Sequence, residues 1–266
     1  MRLNIFLSGL YLLKSGFGKL WNNIAEKEKL NIKFNVRIIR VYRKLTIFGG
    51  RKVWIRNQEG RGPTKFDLYD FVIWSPDMKT SLKYWWNKHP KEQSFFSKTK
   101  PAWFTTSLVD TLNVTRGPRP IDYFIDNINN KLDTIWAQRD SYAAVRNFPI
   151  DEYQEQKTPT GNDNSPVRTT VVYQMSDNRP SRVQLYKDLR RSLKSLGATY
   201  INVMQMKTWR YFPRYDNKAL RDGVLWDILR LQGQYGMWYI GSSVCFESVK
   251  SVIEYNELIL RNYRLP

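Results

Sequence analysis

Close to the C-terminus, Met237-Trp-Tyr-Ile240 is an apolar run, Gly241-Ser-Ser-Val-Cys-Phe follows it, and Glu247 opens a segment that reads to Leu260 with helical spacing. The pattern predicts a short strand, a tight loop and a helix with Glu247 and Ser248 in its first turn. Backbone N–H groups at a helix start lack intrahelical partners and carry partial positive charge, so such a junction can face an anionic or electron-rich ligand group. An ordinary strand-to-helix connection has the same pattern and is the plainer reading. Upstream, Trp209-Arg-Tyr-Phe-Pro-Arg214 brings Trp209, Tyr211 and Phe212 together. Ring faces of this kind can wall a water-poor cavity, and core packing is the alternative. Other chemistry is sparse. His89 lies between Lys88 and Pro90 and reads as a loop residue. It is the one His, as Cys245 is the one Cys, which excludes an intrachain disulfide and makes a His/Cys zinc site nearly impossible. Trp136-Ala-Gln-Arg-Asp140 and Arg168-Thr-Thr170 set polar groups beside strands. They face a cavity, or Asp140 simply pairs with Arg139 or Arg168. No catalytic residue and no metal ligand set follows from these residues.

The elements that must position these groups are carried by a chain of 266 residues, long enough for one large domain or two modest ones with a real core. Aromatic residues make up 15%, which argues against wholesale disorder. Lys and Arg number 43 against 24 Asp and Glu, a net charge of +19 that suits a polyanion or a phosphate-rich cofactor. The basic residues are dispersed and no nucleic-acid motif accompanies them, so nucleic acid is not favoured as a partner. The apolar stretch at 3–13 would span only about 17 Å as a helix. That is too short for a bilayer core of roughly 30 Å, and no transmembrane segment is expected elsewhere.

Periodicity predicts a helix over 16–30, capped by Ser15 or Gly16, with Leu20, Trp21 and Ile24 on one face. Asn31–Ile38 alternates as a strand, with a slip at Ile39 that a bulge explains. Gly49-Gly50 marks a turn and 52–56 a second strand. After a polar loop around Gly60, Gly62 and Pro63, Tyr69–Trp74 reads as a buried strand, so that a small meander leads into a sheet covered on both faces. Strands are further expected over 103–108, 134–144, 167–175, 200–209 and 237–240, and an exposed loop over 155–166. Ser181 caps a helix that Gly197 stops, and a second helix covers 217–231.

Three stretches together resemble the flavin-containing amine oxidase family, an FAD-binding oxidoreductase family. They are Gly16-Phe-Gly-Lys-Leu-Trp21 with the strand that follows through Val36, Tyr69-Asp-Phe-Val-Ile-Trp-Ser-Pro76, and Gly236-Met-Trp-Tyr-Ile-Gly-Ser-Ser243 with Phe246-Glu-Ser-Val249. The resemblance runs through nearly the whole chain in order. It implies FAD as cofactor, with Val36 on the adenine side. It also implies that Gly241, Ser242, Glu247, Ser248 and Val249 lie around the flavin, and that Trp209, Tyr211 and Phe212 line the substrate pocket. Two departures stand out. The family's opening GxGxxG unit, with an acid about twenty residues on, has no counterpart, and Ser242 stands where the family often has Glu. Cys245 does not match the family's flavin-linking Cys.

The resemblance therefore implies the C-terminal portion of such an enzyme, of α/β plus α+β class. Residues 1–78 and 232–266 would form an incomplete Rossmann-type FAD-binding domain with a β-meander. Residues 79–231 would form an antiparallel-sheet substrate domain with helices. The implied reaction is hydride transfer from a small-molecule substrate to the flavin, with a missing N-terminal FAD-binding segment as partner and a cytoplasmic location favoured. The alternative is a non-catalytic binding protein that uses its basic surface on a polyanion such as nucleic acid. Asn113-Val-Thr115 is a glycosylation sequon, which matters only in a secreted chain.

Overall fold

The computed structural model describes residues 16–45, 51–112, 121–124, 135–140, 156–157 and 166–263. The apolar stretch at 3–13, Ser15, the Gly49-Gly50 turn and the sequon at Asn113 lie outside them. The chain divides into two compact units, Met1–Ile32 with Trp103–Trp209 and Lys33–Ala102 with Arg210–Pro266. These bounds differ from the division drawn from the sequence, because both units are discontinuous and two long strands run across the dividing lines.

The first unit holds helix α1 (Gly16–Lys27), where Leu20, Trp21 and Ile24 are exposed. Its sheet contains strands β5 (Lys100–Leu112), β6 (Ile121–Tyr123), β7 (Ile135–Asp140), β9 (Pro166–Ser176) and β10 (Tyr200–Arg214), in the order β10-β5-β9-β7-β6. A short β8 (Gln156–Lys157) pairs with β9 inside the stretch expected to be loop. The β5–β9 and β7–β9 pairs are antiparallel. Helix α4 (Arg182–Ser195) buries Leu185, Leu189 and Leu193 at four-residue spacing, and Leu189 and Leu193 join Val109, Ile135 and Val172 in one core. Ser181 is its N-cap residue, without a side-chain capping bond, and Gly197 follows the C-cap at φ +94°.

In the second unit, β1 (Val36–Leu45), β2 (Arg51–Glu59) and β3 (Thr64–Tyr69) form an antiparallel meander. Its register shifts between Ile38 and Arg40, as the slip at Ile39 predicts. The first strand starts later than its alternation predicts. Asn35 has φ +57°, which turns the chain out of extended geometry, and Ile32 and Phe34 before it are exposed. β3 replaces part of an expected loop. Phe66 and Leu68 alternate with Lys65 and Asp67 but are exposed, so the strand buries no apolar stripe and is defined by its pairing with β2.

The predicted strand at 69–74 is accordingly shorter, β4 (Val72–Trp74), and it pairs in parallel with β11 (Met237–Tyr239). Two short helices follow β4, α2 (Met78–Ser81) and α3 (Pro90–Phe96). The helix expected over 217–231 is two, α5 (Asn217–Arg221) and α6 (Val224–Leu231), because Gly223 adopts φ +83° between them. The last helix is α7 (Val249–Asn262). The core joins Val41, Val53, Trp74, Trp85, Phe96, Ile228 and Tyr239.

The molecule is thus a mixed helix-and-sheet fold with antiparallel sheets. Its parallel components among the described residues are the two-stranded β4–β11 pair and an isolated bridge between Val41 and Trp85.

Candidate functional site

The β11–α7 junction is built around one carbonyl. Gly241 C=O accepts from Val244 N at 3.1 Å, Cys245 N at 3.3 Å and the Cys245 thiol at 3.2 Å, closing the loop into a tight turn. Gly241 has φ +84°, and a Cβ there would stand 2.7 Å from the Ser75 carbonyl oxygen and 2.8 Å from its Oγ. The glycine is therefore required by the Ser75-Pro76 turn that ends β4. Ser243 Oγ accepts from Met78 N at 3.2 Å and ties the loop to α2.

Ser248 is the N-cap of α7. Its hydroxyl accepts from Ser251 N at 3.0 Å and is thereby committed to the helix. Glu247 precedes the cap rather than occupying the first turn, which begins at the exposed Val249. Burial pushes the Glu247 carboxyl above its ordinary value, and a hydrogen bond with the Ser242 hydroxyl partly offsets this. Its second oxygen, Oε2, is buried without a partner. Tyr211 is held above the usual phenol value by burial and by the Glu247 charge. Burial likewise raises the Cys245 thiol, which makes it a poor nucleophile.

Beside the loop lies a cavity of about 540 Å³. Phe212 and Tyr215 from β10 and its exit, Leu225 and Trp226 from α6, Phe246 from the loop and Leu258 from α7 form much of its wall. Phe212 has φ +45° and meets the Phe246 ring edge-on at 5.4 Å. A bulky residue there is strained, and packing must hold it. Burial carries the Tyr255 hydroxyl, on the same wall, up to about 12, so it is a neutral donor at physiological pH.

The sequence-predicted residues are not all gathered at this place. Gly241, Ser242, Glu247, Ser248 and Val249 sit together on the junction, and Phe212 lines the cavity next to it. Val36 stands at the far end of β1, opposite Glu59. Seven residues further along, Arg43 pairs with Val53, whose side chain lies beside Gly236 just before β11. Trp209 belongs to the other unit, with the Lys207 ammonium 3.9 Å from its ring centre. The side chains of Arg139, Asp140 and Arg168 lie outside the described residues, whereas Gln138 in that stretch donates to Thr170 Oγ1.

His89 lies in the loop just before α3, as expected, but with a defined role there. It is the N-cap of α3, in a capping box with Glu92, and its ring stacks on Tyr235 at 4.7 Å. The spacing His89-x-x-Glu92 followed by an apolar pair carries the capping-box signal, which a serine or threonine at the cap makes easier to see. Sequence reasoning also missed a buried polar network. Arg43 Nη2 lies 2.9 Å from Glu92 Oε2, and the Tyr239 hydroxyl donates to Glu92 Oε1. Tyr239 is held well above the usual phenol range, first by burial and then by the Glu92 charge. The signal for Arg43 is its place two residues after Val41 on the inward face of β1. Among the described residues, no group of His, Cys, Asp and Glu could hold a metal ion, and no helix is long and apolar enough to cross a membrane.

No protein-family model and no curated protein matches the chain. Solved structures do. A CLA-producing fatty acid isomerase from P. acnes matches 94% of the chain at 17% identity with a TM-score of 0.71, over 52% of its own length. An oxidoreductase from Methanosarcina mazei matches 85% of the chain at 10% identity and TM-score 0.51, over 49% of its length. A putrescine oxidase carrying A394C, from a redesign of cofactor binding, matches 93% at 11% identity and TM-score 0.52, over 53% of its length. The chain therefore spans about half the length of the structures it matches, and what it shares with these enzymes is their fold.

Proposed function

We propose that the chain is part of an FAD-dependent oxidoreductase of the amine-oxidase type, acting on a small-molecule substrate. The observation that carries this reading is the junction itself. A parallel strand pair runs through Gly241 and a tight turn into the capped start of α7, beside an aromatic-walled cavity, within a fold shared along 94% of the chain with the fatty acid isomerase. The β4–β11 pair and the meander would belong to a Rossmann-type FAD-binding domain, with 79–231 as the substrate domain. The N-terminal FAD-binding segment, in the half of the fold that the chain does not span, would complete it.

The junction residues fit a flavin nucleotide. Glu247 has a buried oxygen without a partner beside the Ser242 hydroxyl, a pairing that accepts from the hydroxyls of a ribityl or ribose chain. The first-turn N–H groups at Val249 and Lys250 are suited to an electron-rich ring edge. Bound FAD would supply hydride acceptance, the redox chemistry that no side chain provides. Glu247 and Ser242 would orient the nucleotide. Tyr211 and Phe212 would exclude water from the substrate side. Val36 would hold the adenine end.

The test is FAD binding to the purified chain, followed by quenching of flavin fluorescence and by colour retained after desalting. Glu247→Ala is expected to weaken binding at least tenfold, the loss of a hydrogen bond to a charged group. A protein that leaves flavin fluorescence unchanged and binds nucleic acid with a steep salt dependence overturns this reading in favour of the polyanion binder.

A further inference from the structure

The β1–β3 meander has two chemically opposite faces. Directly opposed residues of neighbouring strands project their side chains to the same side. One side carries Val41, Arg43, Val53, Ile55 and Asn57, all buried. The register places three rows on the other side. They are Arg37 with Gln58 and Thr64, Arg40 with Arg56 and Phe66, and Tyr42 with Trp54 and Leu68. No Asp or Glu stands in these rows. Asp67, the acid of β3, is on the inner side, where it accepts from Asn57 Nδ2 at 2.8 Å. Lys52, on the outer side, is paired with Asp70 just beyond β3. Cations dispersed along the sequence are thus gathered on one surface.

The outer side is apolar as well as basic. Phe66, Leu68 and Trp86 are 54%, 50% and 65% exposed, and Trp54, opposite Leu68, is exposed too. Trp86, from the connection between α2 and α3, joins this surface through Tyr42, whose ring lies 6.1 Å from it and 6.0 Å from Phe66. The Arg40 guanidinium is 5.3 Å from the Trp86 ring centre, and that of Arg56 is 5.9 Å from the Phe66 centre. Each donates to a neutral acceptor, Lys83 O and Thr64 Oγ1 respectively, so hydrogen bonding leaves both charges in place.

Contiguous exposed rings and aliphatic side chains mark a surface that something covers, and the cations make that partner an anionic one. A single-stranded nucleic acid stacks its bases on open ring faces. Here Phe66 and Trp86 each have a guanidinium and the Tyr42 ring against them, with the Tyr42 plane tilted by 46° and 41°. Leu68 offers a base no ring to stack on. A bilayer interface uses all of these groups. Aromatic and aliphatic tips enter the headgroup boundary, while guanidinium groups stay with the lipid phosphates.

We infer that the outer face of the β1–β3 meander, together with Trp86, docks on a membrane surface rich in anionic phospholipid. Arg37, Arg40 and Arg56 meet the phosphates. Trp54, Phe66, Leu68 and Trp86 enter the boundary of the acyl chains. Such a contact is made from one side of the bilayer and uses no spanning helix. No residue of the β11–α7 junction takes part, so the contact is independent of the flavin.

The experiment is flotation of the purified full chain with vesicles of phosphatidylcholine, alone or with one third phosphatidylglycerol. Binding is expected to be at least tenfold tighter to the anionic vesicles and to weaken as salt is added. At about fivefold for each cation near an anionic surface, Arg40→Gln with Arg56→Gln is expected to lose roughly thirtyfold. Lys218→Gln with Arg230→Gln removes the same charge from α5 and α6 and is expected to leave binding within about twofold. Brominated acyl chains, which quench Trp emission on contact, report insertion. Trp54→Phe with Trp86→Phe keeps the surface apolar and is expected to abolish most of that quenching.

Four results overturn the inference. The first is binding no tighter to anionic than to neutral vesicles. The second is an equal loss in the α5–α6 variant, which reports net charge alone. In the third, quenching survives the removal of Trp54 and Trp86, which puts the contact on another surface. The fourth is an oligothymidylate that displaces the chain from vesicles and binds more weakly to Phe66→Ala, which identifies a nucleic-acid platform. The flavin reading fails separately: a chain that docks on vesicles and stays colourless with FAD loses the flavin and keeps the membrane contact, and a yellow chain that stays off vesicles does the reverse.

Discussion

Gln232 and Tyr239 are joined twice, side-chain amide to backbone, with both hydrogen bonds at 2.7 Å. The amide stands where the backbone of a neighbouring strand would stand. The same Nε2 also donates to the Tyr255 hydroxyl at 2.9 Å, so one buried residue links α6, β11 and α7. Gln232→Leu strands the N–H and C=O of Tyr239 in an apolar place. At about 1–3 kcal/mol for each of the two unsatisfied groups, unfolding by urea should show a loss on the order of 2–6 kcal/mol. An unchanged midpoint with unchanged slope would show that the amide does not hold this edge.

The buried pair of Arg43 and Glu92 makes a second, independent prediction. Glu92→Leu leaves a guanidinium in the core and removes the acceptor for the Tyr239 hydroxyl. The expected cost is about 3–5 kcal/mol. Adding Arg43→Met should restore a good part of it, because no charge is then left unpaired. A double-mutant cycle in guanidinium chloride measures the coupling, and strictly additive losses would contradict it.

Glu247 carries a pH signature. Its folded carboxyl titrates above its ordinary value of 4.5, chiefly because of burial. Between that value and the raised folded one, the native state binds more protons than the unfolded chain, so this group's contribution to stability falls as pH rises through the window. Asp216, a cap whose carboxyl is lowered by its hydrogen bond from Ala219 N, works in the opposite sense at lower pH. Denaturation profiles from pH 4 to 7 should therefore differ between the native chain and Glu247→Gln, with the variant gaining relative stability toward pH 7. Parallel profiles would refute the raised carboxyl.

Gly241→Ala tests the close approach at the junction. A methyl group there meets the Ser75 backbone and is forced into φ +84°. We expect destabilisation of about 1–3 kcal/mol and a lowered Tm. The same change at Gly18, where nothing lies within 4 Å, should be neutral or slightly stabilising and serves as the control.

Cys245 should react slowly with Ellman's reagent at pH 8 in the folded protein, at least tenfold below the unfolded chain. Its thiol is raised by burial and donates to the Gly241 carbonyl. Fast labelling under native conditions would mean that the 241–246 turn opens.

The sequence by itself determined the elements whose periodicity reports a single buried face. The leucines of α4, the alternation of β1 with its bulge and the strand-loop-helix order of the junction are legible because local spacing decides them. The junction's glycine is legible for the same reason, whereas Ser248, read as a first-turn residue, is the N-cap because the helix starts two residues later than its spacing suggests.

Tertiary structure decided what depends on distant partners. β3 buries no apolar stripe, since Phe66 and Leu68 face outward, and it exists through pairing with β2. The break at Gly223 splits a helix whose apolar spacing runs unbroken. His89 reads as a solvated loop residue until Glu92 and Tyr235 meet it. Above all, β4 and β11 are three-residue strands more than 160 positions apart, and which of their edges is closed depends on the side chain of Gln232. Periodicity records which face of a segment avoids water; it carries no record of which backbone edge a remote amide will satisfy.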